Sequence, residues 1–505
     1  MQESLRLAPL LALSILAGSS ATAQSLSQAR QSSAATTIND VALFAGGRFA
    51  GAASSVVDAY DSATDTWSVA SLTSARNELA ATVIGNFAMF AGGATSPSTS
   101  SDVIDIYDAS VGPPSQASAW SVWTLSEPRF GLAATTCGTM AFFAGGGLGG
   151  PASVTGVSDV VDIYDSSIGA PNDPAAWSTA SLSVPRGKIA AAAAGNQAVF
   201  AGGLTATAAS DAVDICDCTT GRWITDTLSE ARLVGEQGSA TVGTRVYFGG
   251  GQTGPMASNV SDRIDVYDTE FGTWSMETLP VARAVLAATA VGHTVIFAGG
   301  GNASGPSSDV DQLNVITGEW DSTASLSVAR FNLCATSVGN RALVAGGGIG
   351  GAVTAVVDVF EPYVGVNYCG SAALNSTGVA AVLEASGSPL ASANDVSLLA
   401  SSLPASANGY FLASQTQGFT ANPGGSVGNL CLDGAIGRYV GAGQVKNSGA
   451  AGYFELALDL NLMPTPTGLI AAQAGQTWNF QAWHRDTIGG AAVSNFTNAV
   501  SLTLL

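Results

Sequence analysis

Short apolar runs recur along the first two thirds of the chain, each closed by a pair of glycines. Residues 41–45 read Val-Ala-Leu-Phe-Ala and residues 295–298 read Val-Ile-Phe-Ala. Runs of this length, with no polar alternation, predict strands buried on both faces. Each follows a phrase of the type Leu-Ser-x-Ala/Pro-Arg that ends at Arg30, Arg76, Arg129, Arg186, Arg232, Arg283 or Arg330. From Arg30 to Arg330 is 300 residues in six steps, a mean period of 50. The first glycine of the pair stands 16 residues after the arginine in six repeats and 17 after it in the fifth. A unit of this size cannot bury a core alone, so the period predicts a radial or stacked array.

Each repeat has room for four strands. After the double glycine comes an Asp-x-Tyr-Asp-like run, clearest at Asp58, Asp105, Asp162, Asp214 and Asp265, and decayed at Asp311 and Asp358. Six repeats then carry a tryptophan: Trp67, Trp120 or Trp123, Trp177, Trp223, Trp274 and Trp320. This set resembles the kelch repeat over residues 24–361. The resemblance implies an all-β fold, a seven-bladed kelch β-propeller of four-stranded blades. The seventh repeat has no tryptophan strand of its own. Ser-Leu-Ser-Gln-Ala-Arg30 matches the end of that strand elsewhere, so the segment from Gln24 is expected to complete the last blade and cover its edge.

Residues 1–23 read as a secretory signal, with an apolar stretch at 7–17 and Ala-Thr-Ala at 21–23 before Gln24. Residues 362–505 form a second unit, expected to be a small β-sandwich-like domain from alternating segments such as Thr-Trp-Asn-Phe-Gln-Ala-Trp483. Asn367-Tyr-Cys-Gly, Gly428-Asn-Leu-Cys-Leu and Trp478-Asn-Phe-Gln-Ala-Trp-His-Arg-Asp486 resemble a C-terminal module recurring on secreted proteins of environmental bacteria. That recurrence suggests surface retention or adhesion.

Charge changes the picture next. The chain carries 17 Lys+Arg against 37 Asp+Glu, a net charge of −20, and only two lysines. That leaves no electrostatic footprint for nucleic acid. No segment after the leader is apolar for the length of a membrane helix. Two histidines, His293 and His484, are too few for the ligand sets of copper radical oxidases or of His/Cys zinc sites. No cofactor motif or metal loop is present, so neither cofactor nor metal is expected. The Asp-rich runs read as solvated turns and strand-end caps. The seven arginines read as structural, bonding loop carbonyls or a neighbouring carboxylate. In an exported protein disulfides are permitted. Cys369 and Cys431 are expected to pair. Cys216 and Cys218 are left open between a local bridge and plain packing. Cys137 and Cys334 read as buried small apolar residues.

Binding residues are sought where the repeats differ. In kelch proteins the loops after the fourth strand and after the second strand share one face, which often binds the partner. The matching positions give Arg48, Phe49, Asn77, Glu78, Phe130, Lys188, Gln252, Asn302, Phe331 and Asn332. In the fifth repeat Gly235-Glu236-Gln237-Gly238 replaces a small apolar run and predicts a bulge near the axis. The expected function is non-catalytic binding of an extracellular carbohydrate or protein partner, with the tail holding the protein at a surface. The alternatives are a sugar-active enzyme using Glu78 or Glu236, and a purely structural or adhesive scaffold.

Overall fold

The computed structural model describes residues 24–235, 238–256, 258–370 and 372–505. The proposed leader, 1–23, and the candidate residues Glu236 and Gln237 therefore lie outside the described residues. The described chain is all-β, with helix limited to short 3-10 turns such as Ala117–Ala119. No described helix is long and apolar enough to cross a membrane.

Among the described residues, seven antiparallel sheets share one plan. The first orders Ala34–Ile38, Val41–Ala45, Ala52–Asp61 and Thr66–Arg76 as consecutive neighbours. Its second strand, Val41–Ala45, is almost wholly buried, as the unbroken apolar run predicts. The seven first strands touch in succession. Ala34–Ile38 contacts Ala80–Ile84, and the chain of contacts runs through Ala133–Cys137, Ala190–Ala194, Ser239–Val242, Ala287–Val291 and Cys334–Val338 back to Ala34–Ile38. Gln24 and Ser25 pair with Val357 and Val356, so the start of the described chain is the fourth strand of the seventh sheet.

What joins one sheet to the next is a buried ion pair. Arg76 and Arg129 end the fourth strand of their sheet, and the other five arginines lie five to nine residues beyond it; each reaches the third strand of the following sheet. The pairs are Arg30–Asp58 (2.6 Å), Arg76–Asp105, Arg129–Asp162, Arg186–Asp214 (2.8 Å), Arg232–Asp265 (2.6 Å), Arg283–Asp311 (2.5 Å) and Arg330–Asp358 (2.7 Å). All seven guanidinium groups are fully buried. They also donate to second-strand carbonyls, for example Arg30 to Phe44 and Arg330 to Val344. The carboxylates in turn accept backbone N–H groups of the preceding sheet, such as Ser27 on Asp58 and Ser126 on Asp162. The first aspartate of each Asp-x-Tyr-Asp run is thus not the solvated cap expected. Only the second keeps that role, as Asp217 does for Thr219 and Thr220. Burial lowers the pKa of Arg76, Arg129 and Arg186, and the paired aspartates oppose that shift. The double glycine makes room for this joint. Gly46 sits at φ +63°, and a Cβ there would meet the Arg76 carbonyl oxygen at 2.5 Å.

Residues 364–505 build a six-stranded and a three-stranded sheet around one core, with two two-stranded sheets beside them. Six strands, centred on Thr477–Ile488 and Ala491–Thr503, face a sheet of Val382–Gly387, Val396–Ser401 and Phe454–Leu458. Trp478, Phe480 and Phe411 from the first meet Leu383 and Leu398 from the second. The tail docks on the turn between the first two strands of the sixth sheet. His293 Nδ1 lies 2.7 Å from Glu384 Oε2, and the Tyr363 hydroxyl meets Thr294 Oγ1 at 2.9 Å and accepts the His293 N–H.

Cys369 and Cys431 are bridged inside the tail. Cys137 corrects the expectation of a plain packing residue: it is bridged to Cys218, 81 residues on, and ties the third sheet to the fourth. The open end of the first strand of one sheet there meets the turn after the third strand of the next, with Cα atoms 6.1 Å apart. Cys216 and Cys334 are buried thiols, with burial pushing Cys216 up to about 11 and Cys334 up to about 12.

Two outcomes follow from these joints. Asp162→Ala strands the buried Arg129 guanidinium and should lower the unfolding free energy by roughly 3–5 kcal/mol, read from urea denaturation; a loss within ~0.5 kcal/mol would refute the joint. Alkylation of the denatured, unreduced protein should modify two cysteines, Cys216 and Cys334, as counted by mass spectrometry; four modified cysteines would remove the Cys137–Cys218 bridge.

Candidate functional site

The residue two places after each arginine adopts a left-handed backbone in six repeats. These are Ser32 (φ 55°), Glu78 (52°), Gly131 (57°), Lys188 (52°), Val285 (51°) and Asn332 (52°). One glycine fits this conformation without cost, whereas a β-branched valine does so only when its surroundings impose it. The imposing element is a chain of backbone hydrogen bonds from repeat to repeat. The N–H of Asn332 donates to Val285 O, Ser32 to Asn332 O, Glu78 to Ser32 O, Gly131 to Glu78 O and Lys188 to Gly131 O, at 2.7–3.1 Å. The five described links join six of the seven repeats around one end of the first strands. The fifth repeat departs from the pattern with Gly235 at φ +85° and a Gly238 N–H to Gly235 O turn. Its first strand is four residues long, Ser239–Val242, where its siblings have five. The glycine pair that matches Gly46-Gly47 is Gly250-Gly251, 18 residues after Arg232 rather than the 17 read from the sequence, so two extra residues are taken up ahead of the strand.

Two charged side chains face each other over this circle. Lys188 Nζ lies 3.1 Å from Glu78 Oε2, across two repeats. The Glu78 side chain is 17% exposed and that of Lys188 39%. Ser32, Glu78, Lys188, Val285 and Asn332 border a cavity of about 80 Å³. A second cavity of about 150 Å³ lies among Ala35, Ala81, Ala134, Ala191, Ala288 and Ala335 of the first strands. Both fall below the roughly 300–1,000 Å³ of small-molecule sites. A Glu78 already held by an ammonium, in a cavity of this size, is not presented to a sugar ring.

The other candidate positions divide. Asn77 is buried, and its Nδ2 donates to the Ala94 carbonyl, so it is structural. Phe130 is buried against Gly147 and is no rim aromatic. Phe331 is half-buried and covers Gly348 in the same manner. Asn302 is half-buried and shapes its own hairpin by accepting the Ser304 N–H. Gln252 is half-buried and bridges Leu233 and Val260. Arg48 and Phe49 stand exposed on a hairpin tip. No three His, Cys, Asp or Glu side chains among the described residues gather as a metal site.

No protein-family model matches the chain, and no curated protein matches it.

The residues that single-site scanning missed are the hairpins between second and third strands. These occupy 48–54, 94–101, 147–158, 204–210, 252–261, 301–308 and 348–354, at the same end as the Glu78–Lys188 pair. Five of these spans are followed at once by an aspartate, Asp102, Asp159, Asp211, Asp262 or Asp309, where the hairpin joins the third strand; within the spans themselves the one charged residue is Arg48. Five of the seven expose a large apolar side chain: Phe49, Val154, Leu204, Met256 and Ile349. The signal was in the sequence as a missing charge, visible only once these spans are set side by side.

The backbone circle can be tested without a ligand. Val285→Gly relieves a strained valine and should leave stability unchanged or raise it by up to ~1 kcal/mol. Leu286→Ala, at a neighbour 2% exposed, should lose roughly 2–5 kcal/mol. Equal losses at both positions in thermal and urea unfolding would refute the circle as the cause of the valine's conformation.

Proposed function

We propose that this chain is an exported, seven-bladed kelch-type propeller that binds a protein partner on its hairpin rim and catalyses no reaction itself. The closed succession of first-strand contacts and the Gln24–Ser25 pairing with the seventh sheet support the propeller reading. The single observation that carries the function is the set of hairpin tips, charged only at Arg48, five of which expose a large apolar side chain. The cores of protein interfaces are depleted in charge and enriched in apolar groups, and clustered exposed apolar residues mark such sites. Four of the five tips are aliphatic or thioether side chains, and only Phe49 offers an aromatic face. That composition favours a protein over a carbohydrate. The tail, which docks at the opposite ends of the strands through Glu384 and Tyr363, leaves the rim open. It is the part suited to surface retention.

The test uses residues 24–505 as bait for a displayed random-peptide library. Clones enriched on the wild type should lose binding at least tenfold on Leu204→Glu and Met256→Glu, both on exposed tips. Clones held equally by these variants would place binding elsewhere and sink the rim reading.

A further inference from the structure

A different cleft lies at the other end of the array, between the first and second sheets. Its lining side chains are smaller than those at the matching positions one sheet on. In the first sheet Val41 pairs with Asp61 and Ala59 with Leu43, where in the second sheet Phe87 pairs with Asp108 and Ile106 with Met89. Phe87 and Ile106 share a core with Tyr164 of the third sheet. Val41 and Ala59 instead border an open space in front of the second sheet.

A second feature roofs that space. The connection after the third strand of the second sheet is a long loop carrying Pro113 and Pro114. Tyr107 Oη donates to the Gly112 carbonyl and Trp120 Nε1 to the Pro114 carbonyl, both at 2.8 Å, which fixes the loop. The third sheet has a related loop, held by Tyr164 and Trp177. The loop of the second sheet borders the cleft with Gly112, Pro113, Pro114 and Ser115, together with Val41 and Ala59 of the first sheet. The result is a cavity of about 330 Å³, within the size range of small-molecule sites.

We infer that this cleft binds a neutral sugar ring. Five polar side chains line it: Asn39, Asp61, Thr66, Ser68 and Ser115. Asn39, Ser68 and Ser115 make no side-chain hydrogen bond among the described residues, so their donors and acceptors are open to a ligand. Asp61 spends Oδ1 on the N–H groups of Ala63 and Thr64. Its Oδ2 has no such partner among the described residues. A carboxylate, a carboxamide and hydroxyls match the mixed donor and acceptor character of sugar hydroxyl groups. Val41, Pro113 and Pro114 supply an apolar wall for the C–H face of a ring. No cationic side chain lines the cleft, which disfavours an anionic ligand.

The test is saturation-transfer NMR followed by calorimetry on residues 24–505, with free galactose, glucose, mannose, fucose and N-acetylglucosamine as probes. At least one sugar should bind. Asp61→Asn keeps the turn acceptor and should weaken that sugar at least tenfold. Val41→Phe, which copies the second sheet at a lining position, should abolish binding, with circular dichroism confirming the fold. Met256→Glu on the rim should leave sugar binding unchanged. Silence with every probe overturns the assignment, as does a sugar whose affinity Asp61→Asn leaves intact or Met256→Glu abolishes.

Discussion

A fully buried arginine paired with a buried aspartate of the next sheet is the constraint on which the array depends. A guanidinium out of water is tolerated when its charge is paired and most of its donors are met. Here one aspartate meets the charge and backbone carbonyls such as that of Phe44 accept from other donors, while Nε of Arg30, Arg76, Arg129, Arg186 and Arg330 makes no hydrogen bond among the described residues. Both partners must therefore be placed by different sheets at once, which fixes the spacing and the angle between them. Hydrophobic contacts between sheets permit sliding, whereas this joint does not. Arg30 and Ser27 make the last joint with the same strand that completes the seventh sheet. The ends of the array are held by the same chemistry as its middle.

Function-bearing variation is left to the two ends of the strands, where the joints do not reach. At one end the left-handed residues are exchangeable. Serine, glutamate, glycine, lysine, valine and asparagine all occupy the position, because the backbone hydrogen bonds and not the side chain impose the conformation. Side chains there are free to vary, and hairpins beside them have lost nearly all charge. At the opposite end, loop length and the bulk of lining side chains, Val41 and Ala59 against Phe87 and Ile106, decide whether a gap between sheets is filled.

The periodic part of the fold was legible in the sequence because each repeat states the same strands again. The arginine phrase, the double glycine and the orphan N-terminal strand all lie where local pattern and long-range pairing agree. The aspartates misled because Asp-x-Tyr-Asp looks like turn chemistry in one dimension. Their burial depends on an arginine from the neighbouring sheet about 30 residues before them, as in Arg30 with Asp58. The Cys137–Cys218 bridge was hidden for a similar reason. Cys137 ends a first strand and Cys218 begins a turn of the next sheet, so their proximity follows from how two sheets stack. Phe130 looked like a rim residue by register, yet the bare Gly147 beside it gives its ring a place to fold inward.

The cleft between the first two sheets shows the same limit from the other side. A valine and an alanine at strand positions carry no signal alone, and neither does a loop with two prolines. Val41 and Phe87 occupy equivalent registers, as do Ala59 and Ile106, so the array treats bulk there as optional. The buried ion pairs explain why it is optional. With each interface already fixed by an arginine and an aspartate, the packing between outer strands is released from holding the sheets together. A gap of about 330 Å³ is then compatible with an intact array, and a site can open between two sheets without loosening either.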